Sequence, residues 1–450
     1  MPALEKNHIY RSTIEGYSSE GLGVARIDGQ VVFVHDAVRG EDCDILVMKV
    51  LKNVAFGKPV LRHSTSPHRQ EPDCPYYGRC GGCDFRHLDY AEELWAKRQR
   101  VQDALTRLGG NDVTVEEILG AAQPLRYRNK SQYPVSADGR VGFYRARSHQ
   151  VVEVEHCLLQ KPQADALAAA LRQYLAQYHV PGYDETTGRG LVRHLYVRSN
   201  CKGESLVCLL VNGESLPYET ELVALLRQAA PQTVGVVLGI NTRPGNAILG
   251  DRYRTLWGED ALTDVLCGRT VRLSVPSFYQ VNHHQAQRLY EMAISQAGIT
   301  KADTVLDLYC GVGTITLAMA GAAGKVIGVE VVPQAVADAR DNAVRNGITN
   351  AEFFCGDAGQ AALELEKSGV RPDVVVVDPP RKGLNADTIE ALHRMSPRRI
   401  VYVSCDPATL ARDVALLKER GYTLKTAAAA DLFPRCAHVE TVCLLVLRNP

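Results

Sequence analysis

The 450-residue sequence predicts a multidomain protein: an N-terminal OB-like β-barrel, an α+β central domain and a C-terminal doubly wound α/β domain. Three observations predict it. At roughly 150 residues per domain the length suggests three units. The first sixty or so residues alternate apolar and polar positions between glycine and charged turns, the pattern of short half-buried strands. From about residue 275 the pattern changes to apolar strand, turn and helix, repeated, as in parallel sheets covered on both faces.

Composition bounds the function. Hydrophobic residues are 46% and charged residues 23%, ordinary for a globular chain long enough to bury its own cores. Fifty-one basic residues cancel fifty-one acidic ones, which excludes a polybasic binder acting through bulk charge but leaves local basic faces possible. Thirteen cysteines are too dilute and odd in number for a secreted disulfide framework. Met1–Tyr10 carries no apolar targeting core, and no run of about 18 apolar residues occurs. The expectation is a cytoplasmic protein with no membrane partner and no obligate protein partner.

The elements follow in order. Gly21–Ile27 and Gln30–Val34 read as a hairpin with Asp28-Gly29 at its turn, and Asp44–Val50 as a further strand. Residues 1–64 form the predicted barrel. Residues 63–71 are polar, with one proline, and read as a linker. A helix is expected over Tyr90–Leu108, with Leu94, Trp95, Val101, Leu105 and Leu108 on one face; it is a candidate to pack on the C-terminal domain. The central domain, 65–274, alternates strands with helices at Gln163–Tyr178 and Tyr218–Ala230. It holds two basic stretches, Arg126–Arg147 and Arg189–Lys202. The C-terminal domain, 275–450, has candidate strands Thr304–Leu308, Lys325–Val329, Glu352–Cys355, Asp373–Val377 and Arg399–Ser404, with helices such as Pro333–Asn346 and Pro407–Arg420 between them.

Strand Thr304–Leu308 runs into Tyr309-Cys310-Gly311-Val312-Gly313-Thr314 and then a helix. Glycines there let backbone approach a ligand at a helix start. A dinucleotide fingerprint needs a third glycine, and Thr316 holds that position, which argues against NAD. Acids instead close successive strands: Glu330, suited to ribose hydroxyls, Asp357, able to reach an adenine amine, and Asp378 in Asp378-Pro379-Pro380. Such an array suits a cationic nucleoside without phosphates, S-adenosylmethionine.

The sequence resembles the RNA uracil-5-methyltransferases, specifically the ribosomal-RNA branch with an N-terminal TRAM domain. The resemblance rests on Ser277-Phe278-Tyr279-Gln280-Val281-Asn282, DLYCGVGT (307–314), DPPRKG (378–383), SCDPATLARD (404–413) and HVETV (438–442). Asp406 stands where many members have Asn, and Cys436 where Thr is common. The resemblance implies methylation of uracil C5 in 23S ribosomal RNA, with cofactor contacts at Gln280, Tyr309, Glu330 and Asp378, to which the glycine turn and strand ends add Gly311 and Asp357. Uracil C5 is too weakly nucleophilic to take a methyl group unaided; a thiolate adding at C6 makes an enolate that can. Cys405, at a strand end just before a helix, is the candidate nucleophile, its thiol pKa expected to be lowered by that position. Glu440 carries over as the base that removes the C5 proton.

Cys74, Cys80 and Cys83, with Cys157 far along the chain, form a four-thiolate set suited to zinc or a [4Fe–4S] cluster. Spacing leaves both open and disfavours a radical-SAM motif. The resemblance points to [4Fe–4S], with Arg86 where Gln is often found. A target uridine must be flipped out of its stack to be reached. Arg126, Arg128, Lys130, Arg145, Arg147, Arg193 and Arg198 are candidate phosphate contacts, with Arg381 and Lys382 beside the catalytic pair. Tyr127, Tyr133, Phe143 and Tyr144 interleave with the first group. The same chemistry on transfer RNA, or a non-catalytic RNA-binding protein, are the competing readings.

Overall fold

The computed structural model describes residues 4–448. Six strands between Ile9 and Arg62 form the N-terminal sheet, in the order Ile9–Thr13, Asp42–Val50, Val54–Arg62, Gln30–Val34, Gly23–Ile27, Gly16–Tyr17. The two edge strands are joined by only two residues, Ile14 and Glu15. Since so short a link spans little distance, the sheet has to roll until its edges meet. Alternate side chains such as Cys43, Ile45 and Val47 fill the interior. The hairpin turns at Asp28 (φ 48°) and Gly29 (φ 83°), the positive-φ pair of a type I′ turn.

Residues 63–71, expected to be a linker, are a docked strap. Ser66 is buried. The Arg69 guanidinium reaches the buried Glu41 carboxylate at 2.5 and 2.9 Å and Asp36 at 3.0 Å. A charge-assisted pair of this kind is what a polar sequence count cannot reveal.

The central region is built on a five-stranded sheet ordered Arg252–Gly258, Thr233–Ile240, Ser205–Val211, Val192–Ser199, Lys130–Pro134. Helices Pro162–Gln177 and Glu219–Ala229 pack on it through Leu167, Leu171, Leu222 and Leu226. A hairpin, Ala261–Leu266 with Arg269–Ser274, leads into the C-terminal domain.

The C-terminal sheet has eight strands, ordered Ala351–Cys355, Lys325–Glu330, Thr304–Leu308, Val374–Val377, Arg399–Ser404, Glu440–Leu447, Tyr422–Ala430, Ile118–Leu119. The first five run parallel. Their β-branched runs are buried on both faces, as Val374–Val377 shows. Strand order reverses at Thr304–Leu308, which has Lys325–Glu330 on one side and Val374–Val377 on the other. In such sheets the crevice beyond the carboxyl ends at the reversal is where ligands bind.

Helix Tyr90–Asp103 starts at Asp89, whose carboxylate caps the Glu92 amide at 2.8 Å. It continues as a π-helical turn, Ala104–Leu108. The wider turn shifts the phase of the helix, so Val101 and Leu105 are buried while Leu108, expected on the same face, is 63% exposed. Leu94 and Trp95 are half-buried. The fully buried positions include charges instead: Lys97 Nζ reaches Glu93 Oε1 (2.7 Å), Asp431 Oδ1 (2.6 Å) and the Phe433 carbonyl (3.1 Å). This network ties the helix to residues 431–437, the loop that enters strand Glu440–Leu447. Lys97→Met would leave the buried Asp431 carboxylate without a cation and Glu93 with Arg435 alone at 3.5 Å, and we expect it to destabilise the chain by about 3–5 kcal/mol, read as a lower urea midpoint.

Candidate active site

The carboxyl ends of the parallel strands bring together residues far apart in sequence. Tyr309 leaves its strand with φ 70°, strained for a bulky residue, and its hydroxyl lies 3.3 Å from Thr388 Oγ1. Gly311 (φ 56°) and Gly313 (φ 83°) continue the turn into helix Thr314–Ala320. Glu330 braces the turn: its two oxygens accept from the amides of Gly311 (3.0 Å) and Val332 (2.9 Å). Asp357 caps helix Ala358–Lys367, taking the Gly359 and Gln360 amides on Oδ1 at 3.0 and 3.3 Å. Gln280 is buried, its backbone carbonyl held by Asn129 Nδ2 at 2.9 Å.

Cys405 and Glu440 face each other by strand register. Ser404 pairs with Thr441 in the antiparallel ladder, so the next position on each strand places Cys405 opposite Glu440. Asp378 follows the neighbouring strand Val374–Val377. Burial pushes Asp378 up to about 7. Burial, then the Asp378 charge, push Glu440 up to about 8, with Arg381 opposing. Asp307, one strand over, also rises to about 7, through burial above all; Thr316 Oγ1 bonds its Oδ2 at 2.5 Å, and its Oδ1 is buried without a partner. The charges of Asp378 and Glu330 both act on Asp307, and such a group of carboxyls on neighbouring strands is electrostatically suited to a cation.

The thiol departs from expectation. Burial, then Glu440 and Asp378, push Cys405 up to about 11, against the pull of Arg381. The helix that begins at Pro407 gives no relief, because Asp406 caps its Ala408 and Thr409 amides at 2.9 and 3.0 Å. A carboxylate therefore occupies the helix start that was expected to favour the thiolate.

Tyr290 carries no signal in the sequence, and His438 is marked only by its place in HVETV (438–442). Tyr290 is buried on helix His283–Ala297. Burial, then Asp378, push its phenol up, with Thr314 and Gln280 opposing. In a helix of apolar spacing it reads as core. His438 lies 3.2 Å from the Arg381 guanidinium and stands edge-on to Phe433; burial and Arg381 lower it to about 4, so it is neutral at pH 7.

Comparisons with known proteins now have a geometry to meet. A family model described as tRNA (uracil-5-)-methyltransferase matches residues 268–448, and one described as TRAM domain matches residues 4–60. An uncharacterized RNA methyltransferase of Clostridium acetobutylicum is 39% identical, the match covering 98% of both chains. Another, of Halalkalibacterium halodurans, is 40% identical over 99% of this chain and 98% of its own. The chain belongs to the RNA methyltransferase family. Its fold is similar to the crystal structure of Pyrococcus abyssi tRNA (uracil-54, C5)-methyltransferase in complex with S-adenosyl-L-homocysteine. That likeness has a TM-score of 0.77 at 24% identity and covers 97% of this chain and 100% of that one. The N-terminal sheet is thus a TRAM domain and the C-terminal domain a methyltransferase fold. No helix among the described residues is long and apolar enough to cross a membrane.

The methyltransferase's four candidate ligand cysteines converge. Cys74, Cys80, Cys83 and Cys157 line one cavity, with Tyr76 and Arg86 beside them. Arg126, expected at RNA phosphate, works here: its guanidinium pairs with Asp165 at 2.8 Å and bonds the carbonyls of Cys157 (2.7 Å) and Gln160 (3.0 Å). A fifth cysteine, Cys436, packs against Cys83 and Cys157 and lies 3.2 Å from the Gly82 carbonyl. The amides of Asp84 and Phe85 bond the Arg435 carbonyl, and Asp84 Oδ2 accepts from the Ala437 amide at 2.8 Å. The cysteine loop is therefore knit to the segment that ends at Glu440.

Most of the expected basic face is internal. Arg193 is buried, donating to the carbonyls of Asn241, Arg243 and Gly245 at 2.7–3.0 Å. Arg198 is buried, donating to those of Ser274 and Ser277, so it braces the segment leading to Gln280. Burial lowers Lys130 to about 8, and Tyr127 and Tyr133 are core. Arg128 lines the cysteine cavity. Arg145 and Arg147 remain exposed, the latter paired with Glu20 of the TRAM domain.

Proposed function

We propose that the protein transfers a methyl group from S-adenosylmethionine to uracil C5 in RNA, its substrate being 23S ribosomal RNA. The observation that carries the reading is the Cys405–Glu440 register pair beside Asp378, with Asp307 and Glu330 on the neighbouring strands. Gln280, Tyr309, Gly311, Glu330, Asp357 and Asp378 are the proposed cofactor contacts. When bound, the cofactor supplies an electrophilic methyl group and a positive charge. That charge favours the ionised forms of Asp378, Glu440 and Cys405 together. Cys405 then adds through sulfur to C6 of a flipped-out uridine, and the electron pair of the C5–C6 double bond takes the methyl at C5. Glu440 removes the C5 proton; its electrons restore the double bond and expel the Cys405 thiolate. A carboxyl poised near 8 has the matched basicity such a step needs. Arg381, with neutral His438 beside it, is placed to orient the uracil or its phosphate.

The pH dependence has a definite sign. Asp378 and Glu440 are neutral below about 7 and about 8 and ionise above them. Preference for cationic S-adenosylmethionine over uncharged S-adenosylhomocysteine should therefore grow between pH 6 and pH 9, by about tenfold or more. Calorimetric titration of both ligands checks it, and Asp378→Asn should flatten the rise.

The four cysteines fit an iron–sulfur cluster by donor set, which the family resemblance favours over zinc. Such a cluster would fasten residues 74–83 to Cys157. Iron and sulfide in anaerobic preparations support it; stoichiometric zinc without iron overturns it.

Transfer RNA is the second reading, favoured by the description of the matched family model. Mapping 5-methyluridine in ribosomal and transfer RNA from cells lacking the protein separates the two. For the RNA face, Arg145 and Arg147 neutralised together should weaken binding across sequences and reduce the salt slope by about 1.4–1.8, at about 0.7–0.9 per phosphate contact. Filter binding at several salt concentrations reads this directly.

A further inference from the structure

We propose that Cys201, Asp264 and His283 form a transition-metal site, best suited to zinc, that clamps the central region to the methyltransferase domain. One ligand atom from each lies within 4.8 Å of the others. They come from three separate elements. Cys201 sits on the exposed turn between strands Val192–Ser199 and Ser205–Val211, Asp264 on strand Ala261–Leu266, and His283 at the first residue of helix His283–Ala297.

Two independent features point to a cation. Asp264 is buried, yet the only ionisable nitrogen near it is His283 Nε2, 3.8 Å away; no lysine or arginine pairs with it among the described residues. Its other contacts are neutral donors: the Cys201 and Val265 amides at 2.9 Å each on Oδ1, and the Tyr279 hydroxyl at 3.0 Å on Oδ2. A buried carboxylate held this way is costly unless a positive charge joins it. The second feature is the His283 ring. Its Nε2 donates to the Val265 carbonyl at 2.7 Å, which leaves Nδ1, buried with no partner, as the ring nitrogen with a free lone pair.

The donors choose the metal. Thiolate and imidazole select zinc or cobalt over magnesium or calcium. Tetrahedral zinc, with bonds of about 2.0–2.3 Å, sets its ligands about 3.3–3.8 Å apart, so a contraction of about 1 Å completes the set. Cys201, exposed on a turn, supplies that movement by side-chain rotation. Binding would release the thiol proton to solvent. Cys201 and His283 line a cleft of about 570 Å³ with Asn200, His284 and Arg288, which leaves room for water as a fourth ligand. The Tyr279 and backbone bonds on Asp264 are the outer contacts that orient a ligating carboxylate. The clamp would fix the start of the helix that carries Tyr290 and, just before it, the segment that carries Gln280.

The test uses the full-length chain. After equilibration with zinc and removal of free metal, elemental analysis should find one zinc fewer per chain in Cys201→Ser and in His283→Ala than in the wild type. Cobalt should give a thiolate-to-metal absorption whose intensity falls in Cys201→Ser. Tyr279→Phe should keep the site and weaken it by about 10–100-fold. Zinc should raise the wild-type melting temperature more than that of Cys201→Ser, whose exposed position leaves folding intact. Equal zinc counts, or equal melting shifts in wild type and Cys201→Ser, would place all binding at the four-cysteine cavity and overturn the proposal.

Discussion

Cys405→Ala is expected to lower methyl transfer by on the order of 10⁴-fold or more, as loss of a covalent nucleophile does, while S-adenosylmethionine still binds. The binding should persist because Glu330, Asp378 and the Tyr309–Gly313 turn do not depend on the thiol. No bond to uracil C6 can form, so denaturing gels should show no protein–RNA adduct. The substitution also removes a thiol that burial, Glu440 and Asp378 hold near 11. The free protein should thus resist thiol alkylation at pH 7, and alkylation of Cys405 should speed up when the cationic cofactor is bound. Fast alkylation without cofactor would contradict the electrostatic part of the account.

Glu440→Gln separates the second half of the reaction from the first. Glutamine keeps the size of the side chain and cannot take the C5 proton. Addition and methyl transfer should proceed, and the methylated adduct should accumulate. Turnover should fall by about 10²–10⁴-fold, the usual contribution of a general base. The substitution should also stabilise the folded protein. A carboxyl near 8 when folded and about 4.5 when unfolded takes up a proton on folding between those values. Its destabilising effect is therefore absent below about pH 4.5, grows through neutrality and is complete above about pH 8. At pH 9 the variant should gain up to about 5 kcal/mol relative to wild type, measured by urea unfolding. Reduced turnover with a raised urea midpoint could not be mistaken for unfolding.

Much of the methyltransferase domain was legible in the sequence because buried parallel strands carry β-branched runs such as Val374–Val377, and turns carry glycines such as Gly311 and Gly313. The pairing of Cys405 with Glu440 was legible only through family resemblance; register in the folded sheet sets them opposite each other. Charge was the misleading signal. Arg193 and Arg198 count as basic in composition, but a strand buried at every position, Val192–Ser199, directs them inward to carbonyls. Lys97 was likewise illegible, because its partners Asp431 and Phe433 lie more than 300 residues away. Leu108 was misassigned because a π-helical turn shifts the helical phase, and the Cys405 thiol because burial beside Glu440 and Asp378 outweighs the helix start.

The central claim is a covalent bond between Cys405 and C6 of an RNA uracil. RNA carrying 5-fluorouridine tests it most directly, because the fluorine at C5 cannot leave as a proton and the adduct persists after methyl transfer. Incubation with S-adenosylmethionine, digestion and mass spectrometry should place a methylated fluorouridine on the peptide containing Cys405, and none in Cys405→Ala. No adduct with wild-type protein, or an adduct on another residue, would contradict the account.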